Sequence, residues 1–463
     1  SDELYLTNDL LVPKEAIEIM YERGHTKLTI GSCCMTEYKE SFKYDSELAA
    51  FDFREIFPNL KEFYFPDGSR TVDEFVRYTY KGAWCYCHKP GRHSNGRTYD
   101  INSEYSFVMH SCSGFRFPVG CPKFFKGKIP DDVRNNTRYV YFVHIKSRFK
   151  LKNGFLPTLQ IKNSTLYRSN EWLHTSDFYF RGNYYYKLKD RNGNDHVAYP
   201  DLYLTYLDYE LFLKHYEVED LEEIEGCYFE SMTGIFDAYI DKYTKLKINA
   251  KTPAERQLAK LFLNNLYGKF ATSDDSSYLI PRINEDGVLD FELVAEHDKA
   301  VVYIPVGSVI TACARYYTIT HAQMNYENFI YADTDSLHLL DCEPVGIREH
   351  GTKLGYWKLE RRWSSGIFLR QKCYAEFERY HNEKKVYPHW EITCAGMPDR
   401  CKKLFLATHP ITDFKPGMSI GGKLIPKRVP GGIILEDTTF TFHDDRYLEN
   451  KMHKLVEGLI EKW

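Results

Sequence analysis

The run IYADTDSLHLL, residues 330–340, sets Asp333 and Asp335 one residue apart among apolar neighbours. Two like charges held close in a poorly solvated setting repel unless a cation cancels them. On a strand, alternation with period two sends both carboxylates to one face. Such a pair suits a hard divalent cation that also meets phosphate oxygens. The flanking Ile330, Tyr331 and Leu337 to Leu340 equally allow a hairpin with both acids at or near an exposed turn, and spacing does not choose between the two. Asp100, in TYDINSEY, is the best third carboxylate, because it stands where a strand gives way to a helix start. In PAERQLAKLFLNNLYGKF, Arg256, Lys260, Asn264 and Tyr267 recur at helical spacing and share one face. Two cations, an amide and a phenol suit a triphosphate with a base above it. A solvated charged face explains Arg256 and Lys260, but Asn264 and Tyr267 less well. RQKCYAEF puts Lys372 and Tyr374 on one strand face, either a grip on a backbone phosphate and a sugar or an ordinary amphipathic strand. Cys85, Cys87, His88 and His93 are ligand types for zinc, but their spacing suits a tetrahedral site poorly, and buried thiols in a hairpin are expected instead.

The elements that must position these groups belong to a chain of 463 residues, long enough for two to four subdomains. Hydrophobic content of 43% and charged content of 27% describe a globular protein. The net charge of −4 excludes a globally basic nucleic-acid binder, so such a partner must be held by local patches. No run of about 18 apolar residues and no signal peptide is found, so neither a membrane span nor secretion is expected. Twelve scattered cysteines without repeated CxxC point to free thiols in a reducing compartment. Helices are predicted over 12–24, 253–270 and 306–326, and a strand passing into a helix over 97–111 and again over 201–216. Residues 76–87, alternating aromatic and polar, read as a strand with a turn at Lys81–Gly82. Residues 139–154 read as a strand, 273–294 and 379–392 as hairpins, and 426–442 as β-rich. The tail from Tyr447 to Trp463 is an amphipathic helix.

Taken in order, DINSEY, KLFLNNLYGKF, YADTDS and KCY resemble the family B DNA polymerases, and among them the protein-primed, strand-displacing phage replicases. YKGA (80–83), LGYWKLE (354–360), CAGM (394–397) and VPGGIILEDTTFT (429–441) extend the resemblance to about residue 443. It implies an α+β right-hand fold: a palm with an antiparallel sheet in two parts (31–111 and 303–394), fingers helices (235–273) and a β-rich thumb (395–443). A first insertion (112–234) would clasp priming protein and DNA. A second (274–302) would be a hairpin closing a tunnel round the template. Residues 1–30 would be the end of an exonuclease domain and a connector, and 444–463 a C-terminal helix.

The resemblance further implies template-directed DNA synthesis by two-metal phosphoryl transfer, with Mg2+ (or Mn2+) held by Asp100, Asp335 and the Ile101 carbonyl, and Asp333 beside them. Tyr105 would stack under the sugar and exclude a 2′-hydroxyl. Lys260, with Arg256 and Lys247, would bind the triphosphate, and Asn264 and Tyr267 would line the base-pair pocket. Tyr80, Gly82, Asn102, Ser103, Gly268, Thr334, Lys372 and Tyr374 would hold primer and template. Partners would be primer-template DNA, dNTPs and a terminal protein, bound by a monomer in the host cytoplasm. Tyr5 to Asp9 is similar to the third exonuclease motif, with the first two upstream, so no proofreading is expected of this chain; a helix N-cap at Asp9 explains the same residues. The chain departs from the family at SEYS, where Glu104 replaces Leu and Ser106 replaces Pro, and at Asn265. An extra carboxylate beside Tyr105 would alter metal binding or nucleotide choice. The competing readings are a primer-independent family B polymerase, a nuclease using the same acids and a non-catalytic DNA-binding relic.

Overall fold

The computed structural model describes residues 14, 17–27, 29–44, 49–159, 170, 172–173, 178–180, 183–185, 201–273, 278–294, 302–382 and 384–445. Tyr5 to Asp9 and the tail helix beyond residue 446 lie outside the described residues.

A seven-stranded antiparallel sheet forms the centre. Its strands are β1 (Cys85–Cys87), β2 (Gly91–Ile101), β3 (Phe329–Asp333), β4 (Ser336–Leu340), β5 (Trp357–Arg370), β6 (Cys373–His381) and β7 (Lys384–Cys394), in the spatial order β1-β3-β4-β2-β5-β6-β7. β2 is therefore the middle strand, although it comes second in the chain. Its approach to β5 depends on Gly96, where a Cβ would lie 2.0 Å from the Trp363 ring.

The helices that frame the sheet are α1 (Ile30–Tyr44), α2 (Glu104–Met109), α3 (Tyr206–His215), α4 (Asp237–Ile248), α5 (Pro253–Phe270) and α6 (Ile304–Met324). α5 starts where local chemistry dictates. Thr252 caps it by accepting from the Glu255 N–H (3.2 Å), and Pro253 takes the first position. Its stripe Ala259, Phe262, Leu263, Leu266 and Phe270 is buried against α1 and α4, which leaves Arg256, Lys260 and Asn264 exposed on the other side. α6 is buried along most of its length and joins the sheet to α2 and α5. Among the described residues no helix is long and apolar enough to cross a membrane.

A separate four-stranded antiparallel sheet, in the order Phe117–Lys126, Tyr216–Met232, Tyr139–Leu151, Asp201–Thr205, carries its own core with α3. Two further hairpins, Tyr278–Ile283 with Leu289–Val294 and Ser419–Val429 with Gly432–Thr441, meet at their tips. There the Gly431 N–H donates to the Gly287 carbonyl (2.7 Å), Val288 bridges Pro430, and Arg428 pairs with Asp290.

One expected element is wrong. Residues 76–87 are not a strand with a turn: Val72–Thr79 is a helix, and only Cys85–Cys87 is strand. Thr71 and Glu74 form a capping box that starts the helix.

Candidate active site

Asp100 is the penultimate residue of β2, between Ser336 of β4 and Lys358 of β5. β3 and β4 are joined by the two-residue turn Thr334–Asp335. Hydrogen bonds fix that turn from both sides: the Thr334 N–H donates to Trp84 O (2.9 Å), and the Ile101 N–H donates to Asp335 O (2.8 Å). The second bond ties the turn to the end of β2 and so brings Asp335 and Asp100 together.

The expectation that strand alternation puts Asp333 and Asp335 on one face is overturned. Asp333 ends β3, whereas Asp335 lies in the turn, where period-two alternation no longer holds. Their surroundings differ accordingly. The Asp333 carboxylate pairs with Lys372 Nζ (2.8 and 3.1 Å) and accepts from Thr334 Oγ1 (3.2 Å) and Tyr331 OH (3.3 Å). Burial works against a charged Lys372, but Asp333 outweighs it and holds that pKa above the usual value. Asp100 and Asp335 instead face one another. Burial, then Asp335 and Glu360, push the Asp100 carboxyl well above the usual range. Burial raises Asp335 too, with Asp333 and Glu360 adding to it, while Lys260 draws both acids down.

Two half-buried carboxyl groups whose ionisation is opposed by burial and by neighbouring acids form a donor set that fits a divalent cation, which removes that opposition. Among the described residues no three His, Cys, Asp or Glu side chains could hold a metal by themselves. A cation here would therefore also draw on main-chain carbonyl, water or substrate oxygens.

The cationic face of α5 meets the same site. The charge of Lys260 reaches both Asp100 and Asp335, and Lys247 of α4 is affected by Arg256, Lys260 and Asp100. Lys247 Nζ also donates to Ser103 Oγ (3.0 Å). Tyr105 of α2 stacks on Tyr267 of α5, with centroids 4.0 Å apart and rings 8° from parallel. Asn264, about one turn before Tyr267, and Gly268, directly after it, are exposed on α5. Asn102 is held by its N–H to Tyr356 O (2.9 Å) and its side chain to His350 O (2.6 Å).

Backbone strain marks the same place. Six non-glycine residues among those described have positive φ, and Ser103, Thr334 and Lys372, three of the six, belong to this site. Each such conformation costs of order 1–3 kcal/mol and persists only where its surroundings enforce it.

Lys372 sits in the β5–β6 turn and not on the strand, so its expected alignment with Tyr374 is also overturned. The Tyr374 ring is 8% exposed and packs against Phe368, Tyr331 and His338. Tyr80 and Gly82 lie between the helix Val72–Thr79 and β1. Cys85 and Cys87 are buried thiols, as expected, and His88 packs on Tyr326 and Phe329.

Residues 3–350 match the protein family described as DNA polymerase type B, organellar and viral. The chain belongs to the type B DNA polymerases. It is 36% identical over 453 residues to the DNA polymerase of Bacillus phage phi29, across 94% of this chain and 71% of that one. The DNA polymerase of Streptococcus phage Cp-1 is 34% identical over 452 residues, across 96% and 72%. The phi29 DNA polymerase complexed with primer-template DNA and incoming nucleotide substrates superposes with a TM-score of 0.76 at 35% identity, covering 95% of this chain and 72% of that one. The expected α+β class is thus correct.

Three groups around the candidate site were not anticipated. Lys358 and Glu360 flank Asp100 from β5. The Thr98 hydroxyl and His338 bond to the buried Glu376 beneath the sheet (3.0 and 2.7 Å). Arg315 of α6 binds Asp208 of α3 (2.7 and 3.1 Å) and the carbonyls of Lys81 (2.6 Å) and Gly82 (2.9 Å). A lone Arg inside the apolar run VITACARYYT was a readable signal, since Arg is almost never fully buried unless paired.

Proposed function

We propose that this polymerase adds dNTPs to a primer 3′-hydroxyl at the Asp100–Asp335 pair, directed by a DNA template. The observation that carries the reading is convergence: the carboxylate pair at the end of β2 feels the charge of Lys260, Lys247 feels that of Asp100, and the Tyr105–Tyr267 stack joins the helix that follows β2 to α5. In the reaction the 3′-oxygen bonds to the α-phosphorus, the α–β phosphoanhydride breaks, pyrophosphate leaves and the hydroxyl proton is lost.

Asp100, Asp335 and the Ile101 carbonyl would hold Mg2+ or Mn2+, which when bound lowers the pKa of the attacking hydroxyl and offsets charge on the leaving pyrophosphate. Lys260, Arg256 and Lys247 hold the triphosphate, where their charge favours the anion before and after transfer. Asn264, Tyr267 and Gly268 line the pocket for the new base pair. Tyr105, fixed by its stack, presents a flat surface to the sugar and leaves no room for a 2′-hydroxyl. Asn102, Ser103 and Thr334 border the strand ends where the primer terminus reacts. Lys372, held by Asp333, contacts the primer backbone, with Tyr374 supporting its turn from beneath. Tyr80 and Gly82 guide the template.

The central sheet serves as palm, α4 and α5 as fingers, and residues 395–443 as thumb. The insertion at 112–234 clasps a terminal protein primer and DNA. The joined tips of the hairpins at 278–294 and 419–441 close a ring round the template, which supports processive, strand-displacing synthesis. Primer extension with Mg2+ tests the reading. Asp335→Asn should abolish extension while preserving DNA binding; unaffected extension refutes the site.

A further inference from the structure

Glu104 opens α2 four residues after Asp100, and it is 2% exposed. Its Oε1 lies 2.6 Å from Thr318 Oγ1 of α6, and its Oε2 has no partner. Thr318, itself fully buried, reaches a second oxygen: the carbonyl of Thr334, at 3.0 Å. That carbonyl belongs to the turn that carries Asp335.

Counting protons leaves two ways for these bonds to run. A threonine hydroxyl has one proton to give, and a carbonyl only accepts. If Thr318 donates to Thr334, Glu104 must donate to Thr318, and a carboxyl group donates only when protonated. If Glu104 is instead ionised, it takes the Thr318 proton. The Thr334 carbonyl then loses this donor, and an uncompensated charge stands in the interior. The groups acting on Glu104 weigh against that second arrangement. Burial raises its pKa well above the usual value, Asp335 and Asp100 add to this while they carry charge, and the Thr318 bond opposes it. Tyr105 and Tyr317, the other ionisable groups influenced by Glu104, are phenols. An isolated carboxylate in such a place costs several kcal/mol, which a proton removes.

We propose that Glu104 is a neutral acid and a positioning residue: by donating to Thr318 it commits the Thr318 hydroxyl to the Thr334 carbonyl, and so holds the turn that carries Asp335. The chain Glu104–Thr318–Thr334 ties α2 and α6 to a turn whose β-branched Thr334 has φ 61°. A single hydroxyl thereby stabilises a conformation that threonine seldom adopts. This inference rests on the reading of Asp335 as a metal ligand and adds what keeps that ligand in place.

The test uses the full chain and Mn2+ alone, with binding followed by electron paramagnetic resonance, and single-nucleotide kinetics in parallel. Glu104→Gln keeps a neutral donor of the same shape and should retain Mn2+ affinity within about twofold. Thr318→Val removes the link at nearly constant volume. It should weaken Mn2+ binding by about tenfold, the lower end of what supporting groups contribute at metal sites. It should also lower kcat with little change in the KM for dNTP. Isotope-edited infrared spectra at about pH 8, where an ordinary glutamate is ionised, should show a protonated glutamate band that Glu104→Gln removes. Weaker Mn2+ binding by Glu104→Gln, comparable to that of Thr318→Val, would mean an ionised role and overturn the proposal. So would normal Mn2+ binding by Thr318→Val, or the absence of the band. Thermal unfolding of both variants separates these outcomes from misfolding. If the site reading itself were at fault, Asp335→Asn would bind Mn2+ like the unaltered protein, a result independent of either variant.

Discussion

Replacing Arg315 by Met should loosen the grip on the Tyr80–Gly82 segment and destabilise the protein by about 3–5 kcal/mol, the usual consequence of removing one partner of a buried ion pair. The magnitude follows from what the guanidinium touches. Its side chain is 2% exposed and that of Asp208 is 12% exposed, so water replaces little of what is lost. Met fills most of the stem volume, which keeps the cavity contribution small. Asp208 would keep the Thr205 hydroxyl (2.8 Å) and its own helix-capping contact, but no cation from Arg315. The Lys81 and Gly82 carbonyls would lose their shared donor, each at about 1–3 kcal/mol if nothing takes its place. One effect runs the other way. Burial, then Arg315, lower the Lys81 pKa to about 8, so removing Arg315 relieves a repulsion. These contributions overlap, which is why their sum is not the expectation. Adding Asp208→Asn to Arg315→Met removes the stranded charge and should restore about 1–2 kcal/mol, within the usual range for coupled neighbours. The assay is urea denaturation of all three variants, read on the first transition because several cores need not unfold together. Anisotropy with single-stranded template DNA runs beside it and should weaken by about tenfold if the segment guides template. A loss below about 1 kcal/mol, or a double variant as unstable as the sum of the singles, would refute the ion pair as the link between α3, α6 and the template segment.

Three further outcomes are expected. Tyr105→Val should raise ribonucleotide incorporation relative to deoxynucleotide, measured as the ratio of kcat/KM values, because the flat ring stacked on Tyr267 is removed; an unchanged ratio counts against the gate. Lys372→Met should change stability by less than about 1 kcal/mol, since the lysine is half exposed and surface pairs contribute little. It should nevertheless slow extension from a matched primer terminus, and normal extension would remove Lys372 from the primer grip. Arg428→Glu places a negative charge opposite Asp290 where the two hairpin tips meet. Product length in a single binding event, with a DNA trap present, should fall while single-nucleotide addition stays normal; equal product lengths would show that this contact does not hold the ring closed.

Local chemistry was legible wherever it acted alone. Helix α5 falls on its expected bounds because Thr252, Pro253 and the apolar stripe specify it without help from the rest of the chain. The helix Val72–Thr79 was misread because its start signal, the capping box of Thr71 and Glu74, precedes the alternating residues that suggested a strand. Parity at the hairpins was harder to see. Whether Asp335 extends a strand or enters a turn depends on hydrogen bonds from the Thr334 N–H to Trp84 and from Ile101 to Asp335, and those partners lie far away in the chain. Thr334 itself argues against such a turn, since a β-branched residue disfavours positive φ. The same holds for Tyr374: the positive φ of Lys372 sets which face the ring takes, and composition cannot reveal that. The resemblance already set Asp333 apart from Asp100 and Asp335; the Lys372 contact that gives Asp333 different surroundings was not readable.

That division follows from how each negative charge near the end of β2 is answered. Asp333 is answered by Lys372 within the protein, so a cation gains less by binding there. Glu104, as the buried neutral acid proposed above, carries no charge to offer. Asp100 and Asp335 have no such local answer, because Lys260 acts on both without forming an ion pair with either among the described residues. A cation arriving at this surface therefore finds, at Asp100 and Asp335, a place where it removes repulsion between two carboxylates, with Asp333 already paired to Lys372 and Glu360 lying 3.8 Å from Arg361. The arrangement makes the place of binding depend on keeping Asp333 paired. Loss of Lys372 would leave a third carboxylate unanswered one residue before the turn, and a cation could then be drawn toward Asp333 and away from Asp100. Mn2+ binding by Lys372→Met should accordingly be no weaker than in the unaltered protein even as extension slows. If binding and extension fell together, Lys372 would be acting through the metal pair and not on the primer.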